Sequence, residues 1–142
     1  MVLLQALLLC DQVVQAPDGK VQLQGLFDTV SASSVPAAHP CLWVFFRFLL
    51  QGKEKDASGN YPVRLFLHRP SGATDEIPEM KANADGMGVI QGYLQLRGMV
   101  LKEAGEHWFE LFCKDKSVGS CRFIVKIASP KSLQPPSAST IH

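Results

Sequence analysis

Basic residues are not in excess in this 142-residue chain, and that balance argues against two classes of partner. Fourteen Lys and Arg stand against 13 Asp and Glu, which gives a formal net charge of +1. Nucleic-acid-binding domains usually carry a basic excess or a basic stripe, and polybasic membrane-surface helices need one as well. We therefore expect neither nucleic acid nor a membrane as a partner.

Long apolar runs are also scarce. The longest candidate near the start is residues 2–10, VLLQALLLC, far short of the roughly 20 apolar residues that a membrane span needs. No Lys or Arg precedes it, and Leu8 and Leu9 stand where a signal-peptide cleavage site has small residues. The run is therefore predicted to be a buried first strand, and the chain to stay in the cytoplasm with reduced cysteines.

Motifs for metals, cofactors and nucleophilic catalysis are missing. The four cysteines include no Cys-x-x-Cys pair, although Cys113 and Cys121 flank the last predicted hairpin and could approach each other. No Gly-x-Ser-x-Gly elbow or dinucleotide fingerprint occurs. His39 and Cys41 are two residues apart but lack an evident orienting partner. We predict no cofactor, no metal and no catalytic residue.

Amphipathic helical patterns of ten residues or more are absent, whereas Gly and Pro separate short runs rich in Val, Leu, Ile and Phe. Such spacing is typical of sandwiches and barrels. It predicts an all-β, antiparallel β-sandwich of about seven or eight strands, immunoglobulin- or fibronectin-like. Gly25 is expected to mark a bulge. The predicted strands are residues 2–14, 20–32, 41–51, 62–69, 75–84 (the weakest), 89–97, 107–114 and 120–128.

The end of the chain differs in composition from the rest. Residues 129–142 are rich in Ser and Pro and nearly devoid of apolar side chains. Such a segment cannot bury enough surface to offset the entropy of ordering it. We predict a single domain over residues 1–128 and a disordered tail over residues 129–142.

Alternation along the strands leaves aromatic residues on the side that does not face the predicted interior. Two explanations stay open at this level. Another segment of the chain covers these aromatic side chains, or they form an exposed patch of the kind that marks a protein interface. The candidate interface residues are Trp43, Phe45, Phe66, Trp108 and Phe112.

Several short motifs give the chain a resemblance to known sequences. They are Cys10-Asp11, the turn from Pro17 to Lys20, the GLFD of residues 25–28, the PAAHP of residues 36–40 and the AGEHWFEL of residues 104–111. Together they resemble a family of uncharacterised bacterial proteins. That resemblance implies a small β-sandwich and assigns no activity to any residue.

The sequence thus favours a non-enzymatic protein-interaction or assembly module, with a second copy of the chain as one candidate partner. A self-complementary aromatic patch would produce a two-fold dimer. A sandwich that binds carbohydrate or a small ligand through Trp43, Trp108 and Tyr93 is the alternative. An enzyme is the least favoured class, and a pocket that joins His39, His68 or His107 to a carboxylate would revive it.

Overall fold

The computed structural model describes residues 2–51 and 60–128, and in these ranges every regular element is a β-strand. The all-β prediction is therefore confirmed. The described residues form nine strands: β1 Val2–Gln15, β2 Val21–Phe27, β3 Thr29–Ala32, β4 Ala37–Leu50, β5 Asn60–His68, β6 Thr74–Asn83, β7 Val89–Leu101, β8 Gly105–Cys113 and β9 Lys116–Ile127.

The strands form two sheets. The first sheet has the order β2-β1-β4-β7, and all of its strand pairs are antiparallel. The second sheet has the order β3-β9-β8-β5-β6 and is mixed, because β3 runs parallel to β9. The prediction of an antiparallel arrangement thus holds for the first sheet and is wrong at β3 in the second.

One predicted strand is in fact two, which is why the count exceeds seven or eight. Residues 20–32 form β2 in the first sheet and β3 in the second, and the chain crosses between the sheets at Asp28. The backbone N–H of Ile124 donates to the Asp28 carbonyl at 2.7 Å, so the crossing chain is hydrogen-bonded to β9. β3 then pairs with β9 in parallel, from Thr29 beside Ile124 to Ala32 beside Ile127.

A single hydrophobic core joins the two sheets. Alternate residues of the facing strands point into it, as the pleat requires. Close packing is visible at Gly92, where a Cβ would lie 2.6 Å from the Phe46 ring. The largest fully buried side chains are Tyr61, Phe46, Phe48, Phe109, Phe123, Leu42, Leu50, Ile90 and Leu111.

Tight turns connect β1 to β2 and β8 to β9, and the first of these turns was predicted from the sequence. Gly19 has φ +87° and its N–H donates to the Ala16 carbonyl at 2.9 Å, which closes the β1–β2 turn. The β8–β9 turn is made by Lys114 and Asp115, both with positive φ. Such paired positive φ values match the twist of a two-residue hairpin.

The predicted tail, residues 129–142, lies outside the described residues, so its predicted disorder and the 1–128 boundary stay predictions. The described strands continue to Ile127, and the Ala128 N–H donates to the Ala32 carbonyl at 2.8 Å. Within the described ranges no helix has the length and hydropathy of a membrane span.

Candidate binding surface

The five predicted interface aromatics do not share one face. Trp43 and Phe45 lie in β4, on the side of the first sheet that points away from the core. Phe66, Trp108 and Phe112 lie in β5 and β8, on the corresponding side of the second sheet. We call these sides the outer faces, and each is described in turn.

The outer face of the first sheet is apolar and largely covered. Leu8, Phe45 and Tyr93 form one row across β1, β4 and β7, and Cys10 and Trp43 lie side by side in the next. Phe45 is 8% exposed and Cys10 is fully buried, yet neither belongs to the core that joins the sheets. Some other part of the chain must therefore lie over this face.

The cover is the far half of the β1–β2 hairpin. The Tyr93 hydroxyl donates to Gln15 Oε1 at 3.3 Å. Leu8 is the β1 residue in the same row as Tyr93, and Gln15 lies seven residues further along β1. In a straight β1, Gln15 would therefore be about 23 Å from that row. Two side chains cannot bridge that distance, and the hairpin must therefore bend back over the sheet. We call residues 11–25 the arm.

The bend coincides with Asp11 and Gly25. Gly25 has φ +70°, a region that glycine enters without steric cost. A Cβ on Gly25 would collide with the carboxylate of Asp11. The β1–β2 register does not shift there, so the bulge expected at Gly25 is a bend with no inserted residue. Val13, beyond the bend, is 8% exposed and also lies outside the common core.

The outer face of the second sheet is held by charge and aromatic contacts. Phe66 and Phe112 meet edge to face, with ring centroids 5.3 Å apart at 84°. The Arg64 guanidinium lies 5.1 Å above the Phe66 ring and pairs with Glu76 and, at 3.4 Å, with Asp115. These carboxylates raise the pKa of Arg64, Glu76 contributing most. Ionic side chains thus cover part of the aromatic surface.

A histidine–carboxylate pair lies on the same face. His68 Nε2 is 2.8 Å from Glu110 Oε1, and His68 Nδ1 is 3.1 Å from Thr74 Oγ1. The Ser117 hydroxyl donates to Glu110 Oε2 at 2.6 Å, and this bond is the main cause of the lowered pKa of Glu110. His68 therefore pairs with a carboxylate, the arrangement that would favour an enzyme if it lay in a pocket, but this pair lies on an open sheet face.

Trp108 stands apart from the other aromatics because it is 41% exposed and borders a hollow of about 360 Å³. The hollow lies where the chain crosses between the sheets, and it is mostly apolar. Its apolar lining is Leu7, Leu8, Leu9, Phe27, Trp108 and Cys121. Its two charged residues, Asp28 and Arg122, pair with each other at 3.0 Å, and this contact lowers the pKa of Asp28. We call it the corner hollow.

The corner hollow exists because both sheets are incomplete on that side. β2 pairs with β1 only from Leu9 onward, and β3 pairs with β9 only from Ile124 onward. Residues 2–8 of β1 and 117–123 of β9 thus have a neighbouring strand on one side only among the described strands. Unpaired strand edges are places where another chain can attach.

Two exposed leucines lie in or near this surface, and neither was among the predicted site residues. Leu8 is 38% exposed and borders the corner hollow, and Leu26 is 61% exposed beside Cys10. The run of residues 2–10 predicts a buried strand, but two of its five leucines, Leu3 and Leu8, are exposed. Alternation with buried Leu7 and Leu9 directs Leu8 outward. This alternation is the sequence signal that could have identified Leu8 as exposed.

Among the described residues, the four cysteines, His39 and His107 lie away from any reactive arrangement. Cys113 pairs with Lys116 and Cys121 with Phe109, so the two cysteines are four pairs apart along the hairpin, and all four cysteines are free. Burial raises the pKa of Cys121 to about 11. Cys41 accepts a hydrogen bond from Gln95, while His39 contacts the Phe27 ring. Buried His107 lies 3.0 Å from the Gly105 carbonyl.

Metal-binding clusters do not occur in the described part of the chain: no group of three His, Cys, Asp or Glu side chains is arranged to hold an ion. The Arg69 side chain instead joins the start of β6 to the loop before β8, with contacts of 3.0 Å to Asp75 and 3.0 Å to Glu103. Ser71 donates to Glu103 and lowers its pKa. These groups fasten the turn after β5 to the loop before β8.

Comparison with known sequences gives one family. A family model described as a family of unknown function (DUF6941) matches residues 5–126. The sequence matches no curated protein. The resemblance to an uncharacterised family is thereby confirmed, whereas the bacterial origin stays a prediction.

Three solved structures match this chain at low sequence identity, one of them with a TM-score above 0.5. The alkylpurine DNA glycosylase AlkC of Pseudomonas fluorescens is 9% identical with a TM-score of 0.51, and the match covers 88% of this chain and 30% of that one. An immunoglobulin-like protein of Pseudomonas aeruginosa is 14% identical over 89% and 97% of the two chains, with a TM-score of 0.43. A β-glucuronidase of Bifidobacterium dentium is 11% identical over 89% and 17%, with a TM-score of 0.40.

Proposed function

Because the chain belongs to DUF6941, a family of unknown function, we propose its function from its own surface: it is a non-catalytic binding module that associates with a second copy of itself. The two sheets form an immunoglobulin-like β-sandwich, and the corner hollow is the contact surface. Exposed Trp108 carries the proposal, since tryptophan is the residue most enriched at the energetic centres of interfaces. We place the protein in the cytoplasm.

Charge supports a second copy as the partner. The formal net charge of +1 gives little repulsion between copies, and proteins close to neutral associate most readily. The charged residues of the corner hollow are one anion and one cation, Asp28 and Arg122. Asp28 and Arg122 pair with each other within one copy, so the hollow would present balanced charge to a second copy across a two-fold axis.

Catalysis is the less favoured reading of the histidine–carboxylate pair. A nucleophilic mechanism needs preorganised donors for a developing oxyanion and a pocket that excludes water. His68 and Glu110 line none of the three described hollows. We propose that His68 and Glu110 link β5 to β8 and fix the sheet surface beside Trp108.

The decisive experiment measures molar mass by light scattering from micromolar to millimolar concentration. We expect the wild-type chain to form a dimer and Trp108→Glu to remain a monomer with an unchanged circular dichroism spectrum. Met87→Glu is the matched control, because Met87 is 78% exposed in a turn outside the corner hollow. It should dimerise like the wild type.

Two results would contradict the proposal. A wild-type chain that stays monomeric over the whole concentration range would show that the protein does not self-associate. A dimer that survives Trp108→Glu unchanged uses a different surface. In either case the corner hollow would no longer be the contact surface for a second copy.

A carbohydrate ligand is the second candidate, and it draws on the same tryptophan. Trp108 lies in one row with His68 and Arg122, so an exposed ring is flanked by polar side chains. Sugar platforms use parallel rings, however, and Phe66 and Phe112 meet at 84°. Titration of a Trp43→Phe variant, whose tryptophan fluorescence comes from Trp108, with neutral oligosaccharides tests this candidate, and saturable quenching by one of them would favour it over self-association.

A further inference from the structure

We propose that the arm, residues 11–25, is a strap that opens locally while the two-sheet body stays folded, and that opening uncovers an apolar surface formed by Cys10, Trp43 and Phe45. This device is independent of the proposed self-association. It follows from how little the arm buries, where it bends and what holds each side of the bend.

The arm contains few buried side chains of its own, so opening exposes mainly the residues beneath it: Cys10, Phe45 and the half-buried Trp43. In β2 only Val21, Leu23 and Phe27 are even half-buried, and the remaining positions are exposed. Val13 is the buried apolar residue of the arm, and it lies outside the common core. Segments with few buried apolar contacts open at a lower free energy than the whole domain unfolds. The arm therefore belongs to the low-stability end of the molecule.

The bend provides a hinge. Gly25 has φ +70° and faces Asp11 across the hairpin, and no side chain at position 25 restricts the backbone. Hinges are a few residues that absorb a change in φ and ψ. The two strands of the arm stay paired with each other, so it can swing as one hairpin without breaking the β1–β2 ladder.

The chain on the body side of the hinge is fastened. Asp28 accepts the Ile124 N–H at 2.7 Å and pairs with Arg122 at 3.0 Å. β1 before the bend pairs with β4 from Val2 to Cys10. On the arm side, the Tyr93–Gln15 hydrogen bond ties the far end of the arm to β7. The contacts on the two sides are unequal, so motion is expected on the arm side.

Cys10 is a natural reporter of this motion. It is fully buried on the outer face, and burial raises the pKa of its thiol, so the closed form resists alkylation. Cys113 is 4% exposed within the common core and lies outside the arm, so its alkylation reports opening of the two-sheet body. The ratio of their alkylation rates separates arm opening from unfolding of the body.

The test uses the native full chain and measures iodoacetamide labelling of each thiol by peptide mass spectrometry. We expect Cys10 to react faster than Cys113 in the wild type. Val13→Ala should raise the Cys10 rate about tenfold, the factor for losing two buried methyl groups, and leave the Cys113 rate within about twofold. Gln15→Ala, which removes the Tyr93 contact, should act in the same direction by a smaller factor.

Gln22→Ala is the control, since Gln22 lies exposed in β2 and should change neither rate. Equal rates for Cys10 and Cys113 in the wild type would overturn the proposal, because both would then report global unfolding. So would a Cys10 rate that neither Val13→Ala nor Gln15→Ala alters. If Val13→Ala fails to fold, the Gln15→Ala comparison decides alone.

Discussion

The two outer faces cover their aromatic side chains in different ways. Each carries large aromatic residues that the common core does not take up. On the first sheet, the chain folds its own arm over Phe45 and Cys10. On the second sheet, Arg64, Glu76 and Asp115 cover part of the Phe66–Phe112 pair, and Trp108 is left exposed.

This difference extends to the polar groups. On the first sheet, Arg47 donates to two neutral side chains, Gln5 and Gln91, both at 2.8 Å. On the second, the arginines and His68 face carboxylates. The first face therefore depends on apolar burial and on hydrogen bonds from Arg47 to uncharged partners, and the second on pairs of opposite charge. Changes of side-chain volume should disturb the first face most, and changes of pH or salt the second.

The largest effect is expected in the core that both faces share. Phe109 is fully buried and contacts the Phe123 ring. Phe109→Ala should lower the free energy of unfolding by about 3–5 kcal/mol, measured by urea titration. A loss below that of the outer-face variants that follow would show that the common core is not the main source of stability.

A matched pair of phenylalanines compares the two faces directly. Phe45→Ala, beneath the arm, should cost about 3 kcal/mol, because Phe45 is 8% exposed. Phe112→Ala should cost about 1 kcal/mol, since the ring is half-buried. Urea titration of both variants checks the difference. Equal costs would mean that the arm does not bury Phe45 in solution.

Acid should weaken the second face and spare the first. The hydrogen bonds of Ser117 and His68 lower the folded-state pKa of Glu110 from 4.5. A lowered carboxyl pKa stabilises the fold above the unfolded value, and this stabilisation is lost as pH falls through the folded value. Glu110→Gln should therefore flatten the decline of stability below about pH 4.5, followed by thermal denaturation from pH 6 to 3. Gln5→Ala, which removes an uncharged side chain from the first face, should leave that decline unchanged.

Salt should produce the smallest effect. Arg64 and Glu76 are an exposed ion pair, and such pairs are weak and screened by salt. Glu76→Gln should lower the melting temperature slightly at low ionic strength and have no effect in 1 M NaCl. Gln91→Ala on the first face is the comparison, and its effect should not depend on salt. A salt-independent Glu76→Gln effect would assign the contribution to packing against the aromatic pair.

Local patterns predicted much of the strand layout. The runs at residues 41–51 and 62–69 are strands, and even the weak segment at residues 75–84 corresponds to β6. The core side of β4 follows from strict alternation of Leu42, Val44, Phe46, Phe48 and Leu50. Alternation is a property of the extended backbone itself, so it survives whatever the strands pack against.

The candidate surface was less accessible to prediction. The five aromatics were identified as residues that alternation directs away from the interior. Their division between two faces depends on which strands share a sheet, and no single strand carries that information. The exposed Leu8 and the corner hollow depend on the crossing at Asp28, which the apolar continuity of residues 20–32 concealed.

The sequence by itself determined that this chain forms short strands with one apolar side, because residue alternation, Gly and Pro act over a few neighbouring residues. Only the tertiary structure decided that β2 and β3 belong to different sheets, that β3 lies parallel to β9, and that the arm bends at Gly25 over Phe45. Those outcomes depend on contacts between residues far apart along the chain, such as Asp28 with Arg122 and Gln15 with Tyr93.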